Sequence, residues 1–349
     1  MKRLQNLKYV LLISKALKAY LARSKIGVDI VGFGPIGREL AQRLVTDSEL
    51  KRAFRVVSIS DSSGKVCTSK STDVLKAVKW KNAGKKLQDS KIDGRKETPS
   101  SVVVDVTNSD YTKFAEARNR AVSSLTSGKH FVSANKVALS NYFSEITGLA
   151  KKKGLEVGYG ATICGGLHAI NVAKNLPTGE IESASAVLNA STTMILSMLE
   201  EDKSLSFEEA CDNAAKTGVL ESDRSIDLDG FDATAKTAIL ANVLFPESKA
   251  TFDRVVRSGI RSDDAKEMIS RARKENTHKV RLVSELTPKK ISVGAKTIPS
   301  NSTLAVSGRF NVVQLRTKTL GEISVTNLGG GVALTASVLI SDLKCIASA

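Results

Sequence analysis

Acidic side chains are concentrated in one short stretch of a chain that is otherwise strongly basic. The 349 residues carry a formal net charge of +16. The segment LESDRSIDLDGFDATAKTAIL, residues 220–240, nevertheless contains five carboxylates and then a single lysine, Lys236, in an apolar run. The five carboxylates belong to Glu221, Asp223, Asp227, Asp229 and Asp232. The stretch is either a solvated helix start, where carboxylates are favoured, or a pocket that binds a cationic group.

Asp232 and Lys236 share one face of a helix if that helix begins near Gly230. The carboxylate can then orient the ammonium group or share a bound molecule with it. The simpler interpretation is an exposed ion pair that contributes about 0.3 to 0.5 kcal/mol to stability. The choice between them depends on what the rest of the chain binds.

A glycine-rich turn indicates a dinucleotide. Gly32, Gly34 and Gly37 complete G-x-G-x-x-G in GFGPIG, directly after an apolar run and before residues with helical spacing. The first glycine permits the tight turn, the second lets the backbone approach a pyrophosphate, and the third lets the helix pack on the strand. The alternative is a glycine turn without a ligand. The predicted cofactor contacts in this turn are Gly32, Phe33, Gly34, Pro35, Ile36 and Gly37.

Asp61 lies at the end of the predicted strand FRVVSISD, 24 residues after Gly37. An acidic residue near this position binds the ribose hydroxyls of NAD in dinucleotide-binding folds. Lys65 follows closely and offers a cation for the 2′-phosphate of NADP. Both NAD and NADP are therefore candidate cofactors.

Hydride transfer to or from a nicotinamide needs a group that exchanges a proton. None of the five tyrosines is followed by a lysine four residues later, so the Y-x-x-x-K pair of short-chain dehydrogenases is absent from the sequence. Cys164, with His168 four residues on, is the candidate nucleophile of a semialdehyde dehydrogenase. The segment ATICGGLHAI also fits a glycine turn with a small buried thiol. Lysine is the remaining candidate.

Composition disfavours several other classes of protein. The four cysteines form no C-x-x-C pair and the histidines number three, which disfavours zinc and iron–sulfur sites and predicts a reducing, cytoplasmic location. Only Cys345, near the C terminus, is a candidate for an intermolecular disulfide. Lysines are spread along the chain and aromatic residues make up 5%, so we expect no nucleic-acid partner. A dinucleotide sensor that binds nucleic acid is the alternative that involves no catalysis.

The chain is long enough for two domains with cores of their own. Strands that alternate with helical segments over residues 27–158 predict an α/β fold, with a Rossmann-like parallel sheet. Residues 159–320 predict an α+β second domain, and residues 321–349 an apolar segment that returns to the first. We expect residues 1–26 to be a basic extension rather than a signal peptide. No apolar run reaches the roughly 18 residues of a membrane span, so no membrane partner is expected.

Taken in order, the motifs resemble those of the homoserine dehydrogenase family from about Gly27 to Leu343. The matching blocks are VGFGPIG, VVVDVTNSD, GKHFVSANKVAL, GYGATICGGLHAI, LNASTTMILSMLEE, ESDRSIDLDGFDATAKTAILA, STLAVSGRFNVVQLRT and LGGGVALTASVLISDL. The resemblance implies an NAD- or NADP-dependent oxidoreductase that interconverts L-homoserine and L-aspartate 4-semialdehyde in threonine and methionine biosynthesis. It also implies a homodimer, with the dimer contact on the substrate domain.

The same resemblance implies roles for individual residues. Lys236 would exchange the proton, and Lys136 would lie near both nicotinamide and substrate. The substrate would be bound by Glu221, Asp227, Asp232, Ser191 and Lys136. The cofactor would also contact Thr107, Lys136 and Gly331. A sodium ion would be held by the backbone carbonyls of Gly160, Ile163, Gly165 and Leu167.

Three residues depart from the family pattern: Gly160 replaces a common glutamate, His168 a proline and Ala190 a glycine. The loss of the glutamate at Gly160 brings the sodium site into question. For proton exchange near neutral pH, we expect a catalytic lysine with a lowered pKa. Lys136 and Lys236 converging on one pocket would depress each other's pKa.

Overall fold

A six-stranded, mostly parallel sheet organises the first half of the chain in a computed structural model that describes residues 25–92, 99–165, 167–220, 223–275 and 277–348. Its strands are β1 (Ile26–Val31), β2 (Phe54–Asp61), β3 (Gly64–Cys67), β4 (Val102–Asp105), β5 (His130–Ser133) and β6 (Val157–Gly158). They lie in the order β3-β2-β1-β4-β5-β6, and all neighbours are parallel except β2 and β3. The predicted parallel sheet is confirmed.

Helices cover both faces of this sheet. They are α1 (Pro35–Thr46), α2 (Leu50–Ala53), α3 (Ser71–Asn82), α4 (Phe114–Thr126) and α5 (Val137–Lys153). Adjacent residues of a strand point to opposite faces. Accordingly Val132 of β5 packs in one hydrophobic core with α1 and α3, while Phe131 packs in another with α4 and α5. Continuous Val and Ile runs suit strands that are buried on both faces.

The second half contains a mixed sheet with helices before and within it. Its elements are α6 (Ala169–Asn175), β7 (Ile181–Val187), α7 (Ala190–Glu201), α8 (Phe207–Lys216), α9 (Ser225–Leu228), α10 (Phe231–Leu244), β8 (Val256–Arg257), α11 (Asp263–Glu275), β9 (His278–Leu286), β10 (Ile291–Pro299), β11 (Phe310–Thr317), β12 (Glu322–Leu328) and α12 (Val332–Ser348). The strand order is β12-β11-β7-β9-β10-β8, antiparallel except for β10 and β8. The α+β prediction agrees with this arrangement.

Helix α10 carries Asp232, the last carboxylate of the acidic stretch, into the interior. It begins after Gly230, whose φ of 79° ends the preceding turn. Most of its residues are buried, including the polar Asp232, Thr234 and Thr237. A helix that is apolar on nearly all sides must be surrounded by other elements. Any charged side chain on it therefore needs a partner nearby, since an unpaired buried charge is costly.

The last helix packs against the nucleotide half of the molecule. Leu339 and Leu343 of α12 share a hydrophobic core with Val28 of β1 and Leu40 of α1. Residues 322–328 form β12 and pair with β11 in the second sheet, so the returning segment begins at α12. The domain boundaries themselves stay a prediction, and the proposed extension over residues 1–26 lies almost entirely outside the described residues.

A buried ion pair fixes the loop that precedes β11. Arg281 is 0% exposed, and its guanidinium binds both carboxylate oxygens of Glu200, at 2.6 and 3.1 Å. The same guanidinium donates to the Val306 carbonyl and to the Ser307 hydroxyl. The Gly308 N–H donates to the Ser197 hydroxyl at 2.9 Å. Residues 306–308 are thus tied to α7 and β9.

Replacing Arg281 with methionine should lower the free energy of unfolding by about 3 to 5 kcal/mol, because the Glu200 carboxylate loses its partner inside the protein. Urea unfolding followed by circular dichroism measures this loss. Arg271→Met is the matched control: its pair with Glu275 is exposed and should contribute no more than about 0.5 kcal/mol. Equal effects of the two substitutions would contradict the prediction.

Candidate active site

The turn after β1 leaves open space at one glycine only. A Cβ on Gly32, whose φ is 98°, would lie 2.5 Å from the carbonyl carbon of Val106. A Cβ on Gly37 would lie 2.2 Å from the Gly32 carbonyl oxygen, so the close packing of α1 requires glycine. A Cβ on Gly34 would meet no atom of the described residues within 4 Å. Gly34 caps the N terminus of α1, where helix N–H groups can bind a phosphate.

The other turn residues differ in what they present to this space. The Phe33 side chain is 1% exposed and packs in the core, so only its backbone faces the turn. Pro35 is the first residue of α1, a position where its missing N–H costs nothing. Ile36 borders two adjoining cavities, of about 530 and 250 Å³. The arrangement fits a dinucleotide pyrophosphate at Gly34.

Asp61 ends β2 beside this turn, since the Gly32 N–H donates to the neighbouring Ser60 carbonyl at 2.8 Å. Its carboxylate accepts the N–H and hydroxyl of Ser63, and Lys81 Nζ lies 2.7 Å from its other oxygen. Burial opposes ionisation, but Lys81 and Ser63 lower the pKa of Asp61 below its usual value. The cation beside Asp61 is thus Lys81, which the sequence analysis did not consider.

The larger cavity is bounded by the loop 106–112, which follows β4. Thr107 Oγ1 donates to the buried Asp105 carboxylate at 2.6 Å. The Asn135 amide donates to Thr107 Oγ1 at 2.9 Å, while Asn135 Oδ1 accepts the first N–H of α5 at 2.8 Å. These bonds join the loop to the start of α5. They hold Lys136, which caps that helix, at the carboxyl edge of the parallel sheet.

The smaller cavity contains the charged cluster. Lys236 Nζ lies 2.7 Å from Asp232 Oδ2 and donates to the Leu188 carbonyl at 2.8 Å. Lys136 Nζ lies 3.5 Å from Asp232 Oδ1. The predicted pair on one helix face is confirmed. Both of its side chains are only 13% exposed, so the interpretation as an exposed ion pair is wrong.

The lysine pKa shifts in the opposite direction to the one expected. Burial alone would lower the pKa of Lys236, but the Asp232 carboxylate raises it above its usual value. Burial would raise the pKa of Asp232, but Lys236 and Lys136 lower it to about 2. The expected depression of the Lys236 pKa is wrong because a carboxylate lies between the two lysines. The site therefore holds a protonated Lys236 and an ionised Asp232.

Asn189, which the sequence analysis missed, connects the two buried carboxylates. Its Nδ2 donates to Asp227 Oδ1 at 2.7 Å and to Asp232 Oδ2 at 3.0 Å. Its Oδ1 accepts the Thr192 N–H at 2.8 Å and so caps α7. An asparagine before a helical run is a recognisable cap. Nothing in its spacing indicated that the same amide would reach the acidic stretch.

The remaining substrate and cofactor candidates are only partly brought together. Ser191 and Gly331 both line the smaller cavity with Asp227. Glu221 lies outside the described residues, so its role stays a prediction. Asp223 borders the larger cavity, whereas Asp229 forms an exposed ion pair with an arginine.

Cys164 lines the smaller cavity but is arranged as a structural thiol. Its Sγ donates to the Leu188 carbonyl at 3.0 Å, and burial raises its pKa to about 11. His168 is exposed, and its Nδ1 lies 3.3 Å from the Asn171 amide rather than beside the thiol. The pair proposed as a nucleophile and its base is not assembled.

Two of the predicted sodium ligands, Gly160 and Gly165, lie against side chains of α12. The Gly160 carbonyl accepts the Ile163 N–H at 3.4 Å, and the Gly165 carbonyl accepts the Asn327 amide at 3.1 Å. The Asp342 carboxylate accepts the Gly160 N–H, and burial raises its pKa to about 6. A Cβ on Gly160 would lie 2.9 Å from an α12 side chain, so the departure to glycine fits this close approach.

Arg309 and Asn311 also line the smaller cavity, and the sequence analysis predicted neither. They belong to the segment that enters β11, far along the chain from the acidic stretch. Their position in the cavity follows from the pairing of β11 with β7, because the residues that follow β7 include Asn189. Only tertiary structure reveals this proximity.

Comparison with known sequences supports the same assignment. The model for the homoserine dehydrogenase NAD binding domain matches residues 32–159, and the homoserine dehydrogenase model matches residues 169–343. A homoserine dehydrogenase from Methanocaldococcus jannaschii is 34% identical, over 90% of this chain and 96% of its own.

Solved structures agree in fold. A putative homoserine dehydrogenase from Archaeoglobus fulgidus matches with a TM-score of 0.79 and 30% identity, covering 92% of this chain and 99% of that one. A hyperthermophilic archaeal homoserine dehydrogenase in complex with NADPH matches with a TM-score of 0.77 and 30% identity, covering 93% and 98%. With a dinucleotide turn and a lysine–aspartate cluster in adjoining cavities, the chain belongs to the homoserine dehydrogenase family.

Proposed function

We propose that this protein interconverts L-homoserine and L-aspartate 4-semialdehyde, with Lys236 exchanging the proton. One observation carries the proposal: the Asp232 carboxylate, bound by Lys236 and Lys136, lies in a cavity that adjoins the dinucleotide turn. Homoserine carries an ammonium, a carboxylate and an alcohol. A site with both signs of charge, next to a redox cofactor, suits such a molecule.

The charge state of the cluster favours a direct role in reduction. When bound, the reduced dinucleotide supplies a hydride to the carbonyl carbon. Lys236, protonated because Asp232 raises its pKa, donates its proton to the carbonyl oxygen, and an alcohol results. In oxidation, the substrate ammonium competes with Lys236 for the Asp232 carboxylate. Weakening that pair lowers the lysine pKa and lets Lys236 accept the alcohol proton.

The residues around Asp61 support the use of both NAD and NADP. The Asp61 carboxylate suits ribose hydroxyls, and Lys81 beside it offers a charge for a 2′-phosphate. The relative solved with NADPH is consistent with the second cofactor. A spectrophotometric assay of NADH and NADPH formation with homoserine, beside other amino alcohols and hydroxy acids, tests substrate and cofactor together. Absence of turnover with homoserine would contradict the proposal.

Two further parts of the proposal concern assembly and location. Phe310, Leu320 and Leu328 are large apolar side chains exposed around β12, an edge strand. Covering them in a homodimer would remove apolar surface from water. All four cysteines are free thiols, which suits a reducing cytoplasm. In the described ranges, no helix has the length and apolarity to cross a membrane.

A sodium ion at the Gly160, Ile163, Gly165 and Leu167 carbonyls stays a prediction. Two of these carbonyls already accept a hydrogen bond, and each retains a second lone pair for a cation. Such an ion would hold the loop before α6. No step of the reaction passes through it.

Replacing Gly34 with alanine should raise the KM for the dinucleotide by about tenfold or more, since the new methyl group enters the space where the pyrophosphate approaches the backbone. The unfolding midpoint should not change, because the methyl group meets no described atom within 4 Å. Gly148→Ala, in α5, is the control, because a Cβ on Gly148 also meets no described atom within 4 Å. An unchanged KM in Gly34→Ala would place the cofactor elsewhere.

Replacing Lys236 with alanine should reduce turnover at least about 100-fold, because the proton donor is lost. Fluorescence titration should still detect NADPH binding of ordinary affinity. Lys266→Ala, which removes an exposed lysine of α11, serves as the control and should keep full turnover. Retention of most activity in Lys236→Ala would show that another group transfers the proton.

Iodoacetamide at about pH 7.5 should leave activity intact. The raised pKa of the Cys164 thiol means that little of it is present as the reactive thiolate. Mass spectrometry should find the label on the exposed Cys345 and not on Cys164. Cys164→Ala should retain most turnover. Loss of activity in step with labelling of Cys164 would instead support a semialdehyde dehydrogenase that uses a thiol nucleophile.

A further inference from the structure

We infer that Arg309 binds the carboxylate of the amino-acid substrate. The inference rests on the proposed function, since it concerns the same cavity. Arg309 lines the wall of the cavity that also contains Asp232 and Lys236. Sequence patterns did not point to it, and none of the roles carried over from the family resemblance involves it.

The guanidinium of Arg309 is left without a partner in the part of the chain that the structure describes. Its Nε is buried and donates to no acceptor there. No carboxylate of the described residues lies within ion-pair distance of it. A buried guanidinium N–H without an acceptor costs free energy. A ligand that enters the cavity with an anionic, planar group would give the Arg309 guanidinium a partner.

The other two cations of the cavity are already engaged. Lys236 binds both the Asp232 carboxylate and the Leu188 carbonyl. Lys136 lies 3.5 Å from the same carboxylate. Arg309 is therefore the cation with the most unused donors, and its planar fork matches a carboxylate in two parallel hydrogen bonds.

The backbone around Arg309 is held firmly, which suits a binding role. Its carbonyl accepts the Gly329 N–H at 2.8 Å, and a Cβ on Gly330 would lie 3.2 Å from its NH2 group. The preceding residues 306–308 are fixed by Arg281 and Ser197. The backbone at Arg309 is thus fixed before a ligand arrives, which reduces the entropy lost on binding.

Different charged side chains of the cavity suit different groups of the substrate. The ammonium suits the acidic side formed by Asp227 and Asp232, and the reacting oxygen lies with Lys236. The carboxylate is left for Arg309. A molecule that lacks the carboxylate should then bind without using Arg309 at all.

Arg309→Gln tests this division. We expect the KM of homoserine to rise roughly 30-fold or more, as for the loss of a buried charge pair. The KM of NADP should not change. 3-Aminopropan-1-ol is homoserine without its carboxylate, and its inhibition constant against homoserine should also stay the same. Arg309→Lys keeps the charge but loses the planar fork. Its KM for homoserine should lie between those of the unmodified protein and Arg309→Gln.

Arg316→Gln is the matched control, because Arg316 lies on β11, the strand that directly follows Arg309, in an exposed ion pair with Glu322. It should leave all three constants unchanged. An unchanged homoserine KM in Arg309→Gln would overturn the inference. So would a KM of NADP, or an inhibition constant of 3-aminopropan-1-ol, that rises by the same factor. If the unmodified protein fails to oxidise homoserine, the proposed function fails instead.

Discussion

The Asp232 carboxylate is the charge around which the two halves of the molecule meet. It belongs to α10, in the second half, but one of its two lysines, Lys136, comes from the end of the parallel sheet in the first. Asn189 and Lys236 also bind it. A carboxylate this deeply placed is tolerated only with several donors around it. The polar ends of α5, α7 and α10 are arranged so that their donors converge on this one side chain.

A second buried charge supports a loop next to the cavity. The pair of Arg281 and Glu200 lies between β9 and α7, and its remaining donors bind the loop that leads to Arg309. An ion pair of this kind contributes little net stability compared with apolar packing. Its value lies in fixing one backbone path, because any other path leaves a charge unsatisfied. Precise placement of binding groups depends on such contacts, which fix the backbone that carries them.

Local patterns identified the elements well because each pattern reports a local physical constraint. The glycine turn followed from backbone sterics at Gly32 and Gly37, and the pairing of Asp232 with Lys236 followed from helix geometry. The lysine pKa was predicted in the wrong direction, since sequence spacing does not show that Asp232 lies between two lysines. Arg309 was missed for a related reason: a strand register decided its position.

The docking of α12 on α1 affects when the nucleotide half can finish folding during synthesis. The core beneath the dinucleotide turn is closed by Leu339 and Leu343 of α12, a helix that follows the substrate half in sequence. During synthesis the nucleotide half emerges first, but its apolar face stays uncovered until α12 leaves the ribosome. The substrate half, which lies between them in sequence, is complete earlier. A chain terminated before α12 would therefore expose an aggregation-prone surface, although every residue of the dinucleotide turn had already been made.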